Sequence, residues 1–244
     1  MRFDDVLRGL AAAQFAELPG PKAQSSMAPR PRRFWVPGVV PAGARKAAGL
    51  ALLYPRGDDT ALLLTVRGAH LANHQGQVSL PGGAVEAGES VEEAALREAE
   101  EEVGLQRTAV AVRLRLTPLH IPVSGYVLHP VVATAASPPA VRPCANEVER
   151  IVEIGLDGLT VGSAWAVELR EREGFTIEVP YFDLGGVRLW GATAMVVAEL
   201  LSVLGVAVDP WEKGECPLFH LPWQRRQSSP SGCRGGRGTA PSAE

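Results

Sequence analysis

Eight glutamates surround a single arginine, Arg97, in the stretch PGGAVEAGESVEEAALREAEEEVGL, residues 81–105, and glycines stand at both ends. Glu98, Glu101 and Glu102 are spaced i, i+3 and i+4, which puts their carboxyls on one face of a helix. Like charges at that spacing each destabilise an isolated helix by roughly a few tenths of a kcal/mol, so a compensating partner is expected. A hard divalent cation suits the role, because Mg2+ or Mn2+ prefers carboxylate oxygens and keeps waters or substrate phosphates as its other ligands. Arg97, next to Glu98, offers a planar guanidinium that can fix the orientation of one carboxylate. Glu89 lies near the helix start. A plain solvent-facing acidic helix would carry the same trio, so the trio alone decides nothing.

The elements that must carry these groups are marked locally. Ser90 with Glu93 makes a capping-box pattern, and Gly104 suits the left-handed position just past a helix end. Val91, Ala95, Ala99 and Val103, at successive i+4 steps, form the face that can be buried. Upstream, two compact apolar runs, 47–54 and 61–67, flank the turn signal PRGDDT and predict a strand pair. A glycine-rich loop follows over 68–88. Further β-like runs at 110–118, 126–133, 148–154 and 175–182 precede a second apolar helix over 193–204. This irregular order predicts an α+β fold, an α/β/α sandwich around a mixed sheet, rather than a doubly wound parallel one.

Phe3, Val6, Leu7, Leu10 and Phe15 recur at helical spacing and predict an N-terminal helix, and 18–45 reads as an irregular connector whose Phe34 and Trp35 dock on apolar surface. The expected organisation is 1–44 helix and connector, 45–208 main domain and 209–244 extension, disordered from about 224 on the strength of its Gly, Ser and Pro content.

With 244 residues and 46% hydrophobic content the chain can bury a sizeable core. A net charge of -3 gives no basic field, so no nucleic-acid partner is expected. Cys144, Cys216 and Cys233 are odd in number and widely spaced, which suggests neither a disulfide framework nor a zinc site and fits a reducing, cytoplasmic location. Asp4 and Asp5 speak against an export signal, and the apolar run 194–208, interrupted by Glu199, is too short for a membrane span. The expected partner is a small molecule, with a homodimer allowed.

The whole segment has a stricter pattern: Gly83, five residues, Glu89, seven residues, Arg97-Glu98-Ala99, one residue, Glu101-Glu102, one residue, Gly104-Leu105. This resembles the Nudix box at every defined position, with Ala99 as the small aliphatic member. The resemblance implies the family's sandwich with a loop-helix-loop metal platform, and Mg2+- or Mn2+-dependent hydrolysis of a nucleoside diphosphate linked to another moiety. It implies Glu98, Glu101 and Glu102 as metal ligands, Arg97 orienting Glu98, Glu89 supporting the site, and Glu101, Arg97 and Glu89 as the catalytic set. Attack is by water, with a box glutamate or one from a later loop taking the proton. Gly82 and Gly83 belong to the loop that meets the substrate.

Upstream, LLLTVRGAHLANHQGQVSLPGG, residues 62–83, is similar to the signature of the coenzyme A pyrophosphatase branch. Leu63-Leu64-Thr65, Arg67, Gly76 and Pro81-Gly82-Gly83 fall in register, and His74 with Gly76, Gln77 and Val78 resembles a pattern of bacterial members. IPVSGYVLHPVVA and LWGAT, the latter at 189–193, resemble the branch as well. Gly68, Ala72 and Leu80 depart from it, standing where the signature has serine, arginine and phenylalanine; a lost arginine removes a charged phosphate donor. Arg67 is the candidate contact to substrate phosphate, and Glu147 in ANEVERIVEI and His74 are further candidates. His70 falls in the loop, and His120 and His129 read as core or turn histidines. The implied activity is cleavage of coenzyme A or its derivatives to 4′-phosphopantetheine, or its acyl form, and adenosine 3′,5′-bisphosphate. The alternatives are a Nudix hydrolase of ADP-ribose, NADH or a damaged nucleoside triphosphate, and a nucleotide-sensing module that does not cut.

Overall fold

The computed structural model describes residues 1–32, 35–68, 76–172 and 174–211. The chain opens with α1 (Phe3–Ala13), whose Val6 and Leu10 are buried, and a short α2 (Gly20–Gln24). The segment read as an irregular connector thus contains a helix. Pro21 in the first turn of α2 presets its φ, and Met27 and Ala28 just beyond are buried in the core, a tertiary contact the local sequence does not announce. Phe15 lies outside α1 and is 92% exposed, so it does not extend the apolar face expected of it. Trp35 packs partly buried against the core, while Phe34 falls outside the described residues.

β1 (Arg45–Arg56) and β2 (Asp59–Arg67) form the expected hairpin, turning at Gly57 with φ 60°. There follow β3 (Val78–Ser79), β4 (Gly82–Ala84), α3 (Val91–Val103), β5 (Val110–Arg115), β6 (Leu119–Ile121), β7 (Tyr126–Ala135), β8 (Val148–Gly155) and α4 (Leu156–Thr160). The last elements are β9 (Trp165–Arg172), β10 (Phe175–Asp183), β11 (Arg188–Trp190) and α5 (Gly191–Val203).

Among the described residues β1 to β8 form one eight-stranded sheet in the order β3-β2-β1-β7-β5, with β4 on β1, β6 on β7 and β8 on β2. β1 runs parallel to β7 and antiparallel to β2 and β4, which makes the sheet mixed. Side chains alternate across it. Leu50, Leu52 and Tyr54 of β1 pack with Ala95, Ala99 and Val103 of α3 on one face, and Ala51 and Leu53 join α1 and α5 on the other. The layers are therefore helix, sheet, helix, in agreement with the expected sandwich.

A second, three-stranded sheet is made by β9, β10 and β11. β9 was not expected from sequence. Glu168, Arg170 and Glu171 give it little apolar signal, and its order comes from the antiparallel ladder with β10, which no local pattern encodes.

Candidate functional site

Two glycines let the loop before α3 close on the sheet. Gly82 and Gly83 of β4 lie opposite Gly49 and Ala48 of β1. A Cβ on Gly82 would come within 2.2 Å of the Ala48 carbonyl oxygen, and one on Gly83 within 2.3 Å of Glu98 Oε1. Side chains here would displace the backbone or the carboxylate. α3 itself is closed as its sequence indicates: Ser90 Oγ accepts from the Glu93 N–H at 3.2 Å, Glu93 Oε2 accepts from the Ser90 N–H at 2.8 Å, and Gly104 adopts φ 66°.

Arg97 is the hub behind the carboxyls. Its Nε and Nη2 donate to Glu89 at 3.0 and 3.2 Å, Nη1 donates to Glu98 Oε1 at 3.0 Å and Glu101 Oε2 at 3.1 Å, and Nη2 also reaches the Ala84 carbonyl at 3.0 Å. The Arg97 hydrogen bonds hold the Glu89 carboxyl below the usual glutamate range, and Glu89 in turn pushes the guanidinium up.

Glu102 is 4% exposed. Its carboxylate accepts from the Gly82 N–H, but Oε2 is buried and has no hydrogen-bond partner among the described residues. Burial first, and the charge of Glu98 second, push its pKa up to about 7. Burial also raises Glu98, against the pull of Arg97. Glu147 adds repulsion to both.

Arg67 completes this corner from the end of β2. The β2–β8 ladder bulges between Val66 and Arg67, which re-aims the last side chain. Arg67 attracts the Glu102 charge, while its Nε is buried and unpartnered among the described residues. The Gly68 N–H donates to the Glu147 carbonyl at 3.0 Å, tying this strand end to the later loop.

The structure thus gathers Glu98, Glu102, Glu147, Arg67, Gly82 and Gly83, with Arg97 and Glu89 behind them. Glu101 stands apart from the Glu98–Glu102 pair: its side chain is 58% exposed and its carboxylate is bound to Arg97. Among the described residues no three His, Cys, Asp or Glu side chains converge tightly enough to hold a metal ion by themselves. His70, Ala72 and His74 lie outside the described residues, as do Cys216 and Cys233. His120 and His129 sit partly buried within β6 and β7. Sequence reading did not find the Gly82 N–H as a donor to Glu102, although the Gly-Gly pair before a capped helix was its signal. The backbone link from Gly68 to Glu147 has no local signal at all.

A divalent cation suits this donor set. An orphaned buried carboxylate oxygen beside a second carboxyl, both with raised pKa values, is the environment that positive charge relieves.

Residues 44–151 match the model of the NUDIX domain. The Nudix hydrolase NudL of Shigella flexneri serotype 5b (strain 8401), itself described as uncharacterized, is 37% identical over 169 residues, 68% of this chain and 86% of that protein. This chain belongs to the Nudix hydrolase family. A second Nudix relative, NudL of Escherichia coli O1:K1 / APEC, is 37% identical over 161 residues, 64% of this chain and 82% of its own. Among solved structures, the Nudix hydrolase RenU of M. smegmatis is 30% identical and covers 48% of this chain and 73% of its own, with a TM-score of 0.40. Nudix hydrolases act on pyrophosphate bonds of small molecules and generally use divalent metal ions such as Mg2+ or Mn2+. No helix among the described residues of this Nudix chain is long and apolar enough to cross a membrane.

Proposed function

We propose that this chain hydrolyses the pyrophosphate bond of coenzyme A or its derivatives, releasing 4′-phosphopantetheine, acylated where the substrate was, and adenosine 3′,5′-bisphosphate. The observation that supports this most is the setting of Arg67. It is the arginine of the Leu63-Leu64-Thr65 pattern that resembles the coenzyme A branch, and it meets the carboxylate corner at Glu102 with a buried Nε that has no partner among the described residues. A guanidinium in that setting is suited to a phosphate oxygen of the substrate.

Glu98, Glu101 and Glu102 would hold Mg2+ or Mn2+. When bound, the cation supplies charge neutralisation at the pyrophosphate and a more acidic water. Arg97 presents Glu98 through Nη1 and is itself held by the Glu89 fork, so the carboxyl geometry is set before substrate arrives. The water oxygen bonds to one phosphorus, the bridging P–O bond breaks, and the water's proton passes to a carboxylate oxygen of Glu101 or Glu147, both of which are exposed.

The test is a product assay by mass spectrometry with coenzyme A, ADP-ribose and NADH side by side in Mg2+ or Mn2+. Adenosine 3′,5′-bisphosphate from coenzyme A at the highest kcat/KM is expected, with turnover abolished in Glu101→Gln. Ala72, standing where the branch has an arginine, favours the second reading, a preference for ADP-ribose or NADH. Cleavage of either of these with coenzyme A untouched would replace the first reading by the second.

A further inference from the structure

A second concentration of cations and aromatic rings lies near the end of β2 that carries Arg67 and takes no part in the carboxylate corner. Arg150 on β8, Asp183 at the end of β10, and Arg188 and Trp190 on β11 line an open cleft of about 530 Å3 that Gly76 borders. Its rim is tied by backbone pairing to the strand end that carries Arg67. Gly76 N–H donates to the Arg67 carbonyl at 3.1 Å, and Arg150 lies opposite Val66, the residue before Arg67. We propose that this cleft binds the nucleotide half of the substrate, with the base stacked on Trp190 and a phosphate held by Arg150.

The neighbours of each side chain divide the work. The Arg170 guanidinium covers the Trp190 ring at 4.1 Å from its centroid and is anchored by Glu168, so the indole is held in place while remaining partly exposed to the cleft. A fixed, exposed aromatic ring suits a nucleobase, because every base has a π face to stack. Arg188 is also taken by Glu168 and lies over Tyr181 at 4.9 Å, so it shapes the cleft wall. Arg150, by contrast, is exposed and has no carboxylate partner among the described residues, which leaves its full charge for an anion. Asp183, already accepting from the Gly185 N–H at 3.0 Å, supplies an acceptor for a ribose hydroxyl or an exocyclic amine. A neighbouring cleft of about 640 Å3 between β8, whose Arg150 lines it as well, and Arg56, Pro139, Val141 and Pro143 has no aromatic ring among the described residues of its lining, and its Glu153 is engaged by Tyr54. It lacks the stacking surface.

The inference rests on the substrate being a nucleoside diphosphate conjugate and not on which one, since adenosine 5′-monophosphate is common to coenzyme A, ADP-ribose and NADH apart from further phosphorylation. The full chain is titrated with adenosine 5′-monophosphate and with ribose 5-phosphate, without divalent cation, following indole fluorescence and heat of binding. Adenosine 5′-monophosphate should change the indole emission and bind roughly tenfold or more tighter than ribose 5-phosphate. Trp190→Leu should lose both effects, and Trp190→Phe, which keeps a ring, should retain most of the affinity. Arg150→Ala should weaken the nucleotide roughly tenfold and raise KM by a similar factor with little change in kcat. No nucleotide binding, equal binding of the two ligands, or variants that bind like the wild type would overturn the assignment. If coenzyme A is not cleaved while the nucleotide still binds through Trp190 and Arg150, the substrate reading falls and the cleft stands. If coenzyme A is cleaved by the Trp190→Leu and Arg150→Ala variants at the wild-type KM, the reverse holds.

Discussion

Two glutamates are buried on opposite faces of the main sheet, Glu199 on α5 and Glu102 on α3, and their surroundings differ in one respect. Glu199 has both oxygens answered, Oε1 by the Thr117 N–H at 3.0 Å and Oε2 by Gln24 Nε2 at 2.8 Å. Glu102 has one oxygen answered by Gly82 and the other by no partner among the described residues, with Glu98 and Glu147 adding like charge. A buried carboxyl with full hydrogen bonding is a joint: Glu199 fastens α2 and the approach to β6 onto α5. A buried carboxyl left half-answered is electrostatically unfavourable until a cation arrives. Burial alone separates neither role; the partner count does.

Of the effects that bear on that contrast, the largest is expected at its centre. Glu102→Gln should lower kcat/KM on the order of a thousandfold, about 4 kcal/mol of barrier, while leaving the melting temperature equal or higher. Wild-type turnover in this variant would make the two carboxyls equivalent. Next comes the converse substitution. Glu199→Ala strands two buried donors and should cost about 3 kcal/mol in urea denaturation, with kcat/KM of the folded protein unchanged. A smaller effect, on the order of 2 kcal/mol, concerns pH in the metal-free protein. The folded-state pKa of Glu102, about 7, lies above the ordinary 4.5, so between those values the folded chain holds more protons than the unfolded one. Its contribution to stability is fully present below 4.5 and is lost as pH rises toward 7. Carboxyls with lowered values, Glu89 and Glu92, act in the opposite sense at more acid pH. Melts from about pH 5 to pH 8 should show the decline in chelator, its recovery with Mg2+ or Mn2+, and its absence in Glu102→Gln. Smallest is Arg97→Lys, which keeps the charge but loses the fork on Glu89; activity should fall roughly tenfold through misplacement of Glu98.

The helix at the centre of the site was fully legible in the sequence because everything that ends it is local. Ser90, Glu93 and Gly104 lie within a turn of its termini, and Val91, Ala95, Ala99 and Val103 are all buried as their spacing implies. The hairpin of β1 and β2 and the strands β7, β8 and β10 were legible for the same reason. What spacing could not give was how the carboxyls divide. Glu101 and Glu102 are adjacent in sequence, yet Arg97 draws the first outward while the packing of α3 on β1 turns the second in. β9 escaped notice because its charged residues pair across strands, and α2 because Pro and Gly resemble loop composition until tertiary contact is known. Trp190 stood out only within a motif; its place on a cleft with Arg150 depends on two sheets meeting, which a linear pattern does not encode.

The parallel pairing of β1 with β7 sets an order of assembly. Arg45 lies opposite Tyr126 and Leu53 opposite Thr134, so this ladder forms only after a long loop has closed, at an entropic cost met before any contact rewards it. α3, with both caps in its own sequence, needs no such closure to begin forming. The docking of Gly82 and Gly83 against β1, which gives Glu102 its single donor, belongs to the slower, non-local stage. In refolding, helical signal should therefore return ahead of turnover, and affinity for the cation should be among the last properties the chain recovers.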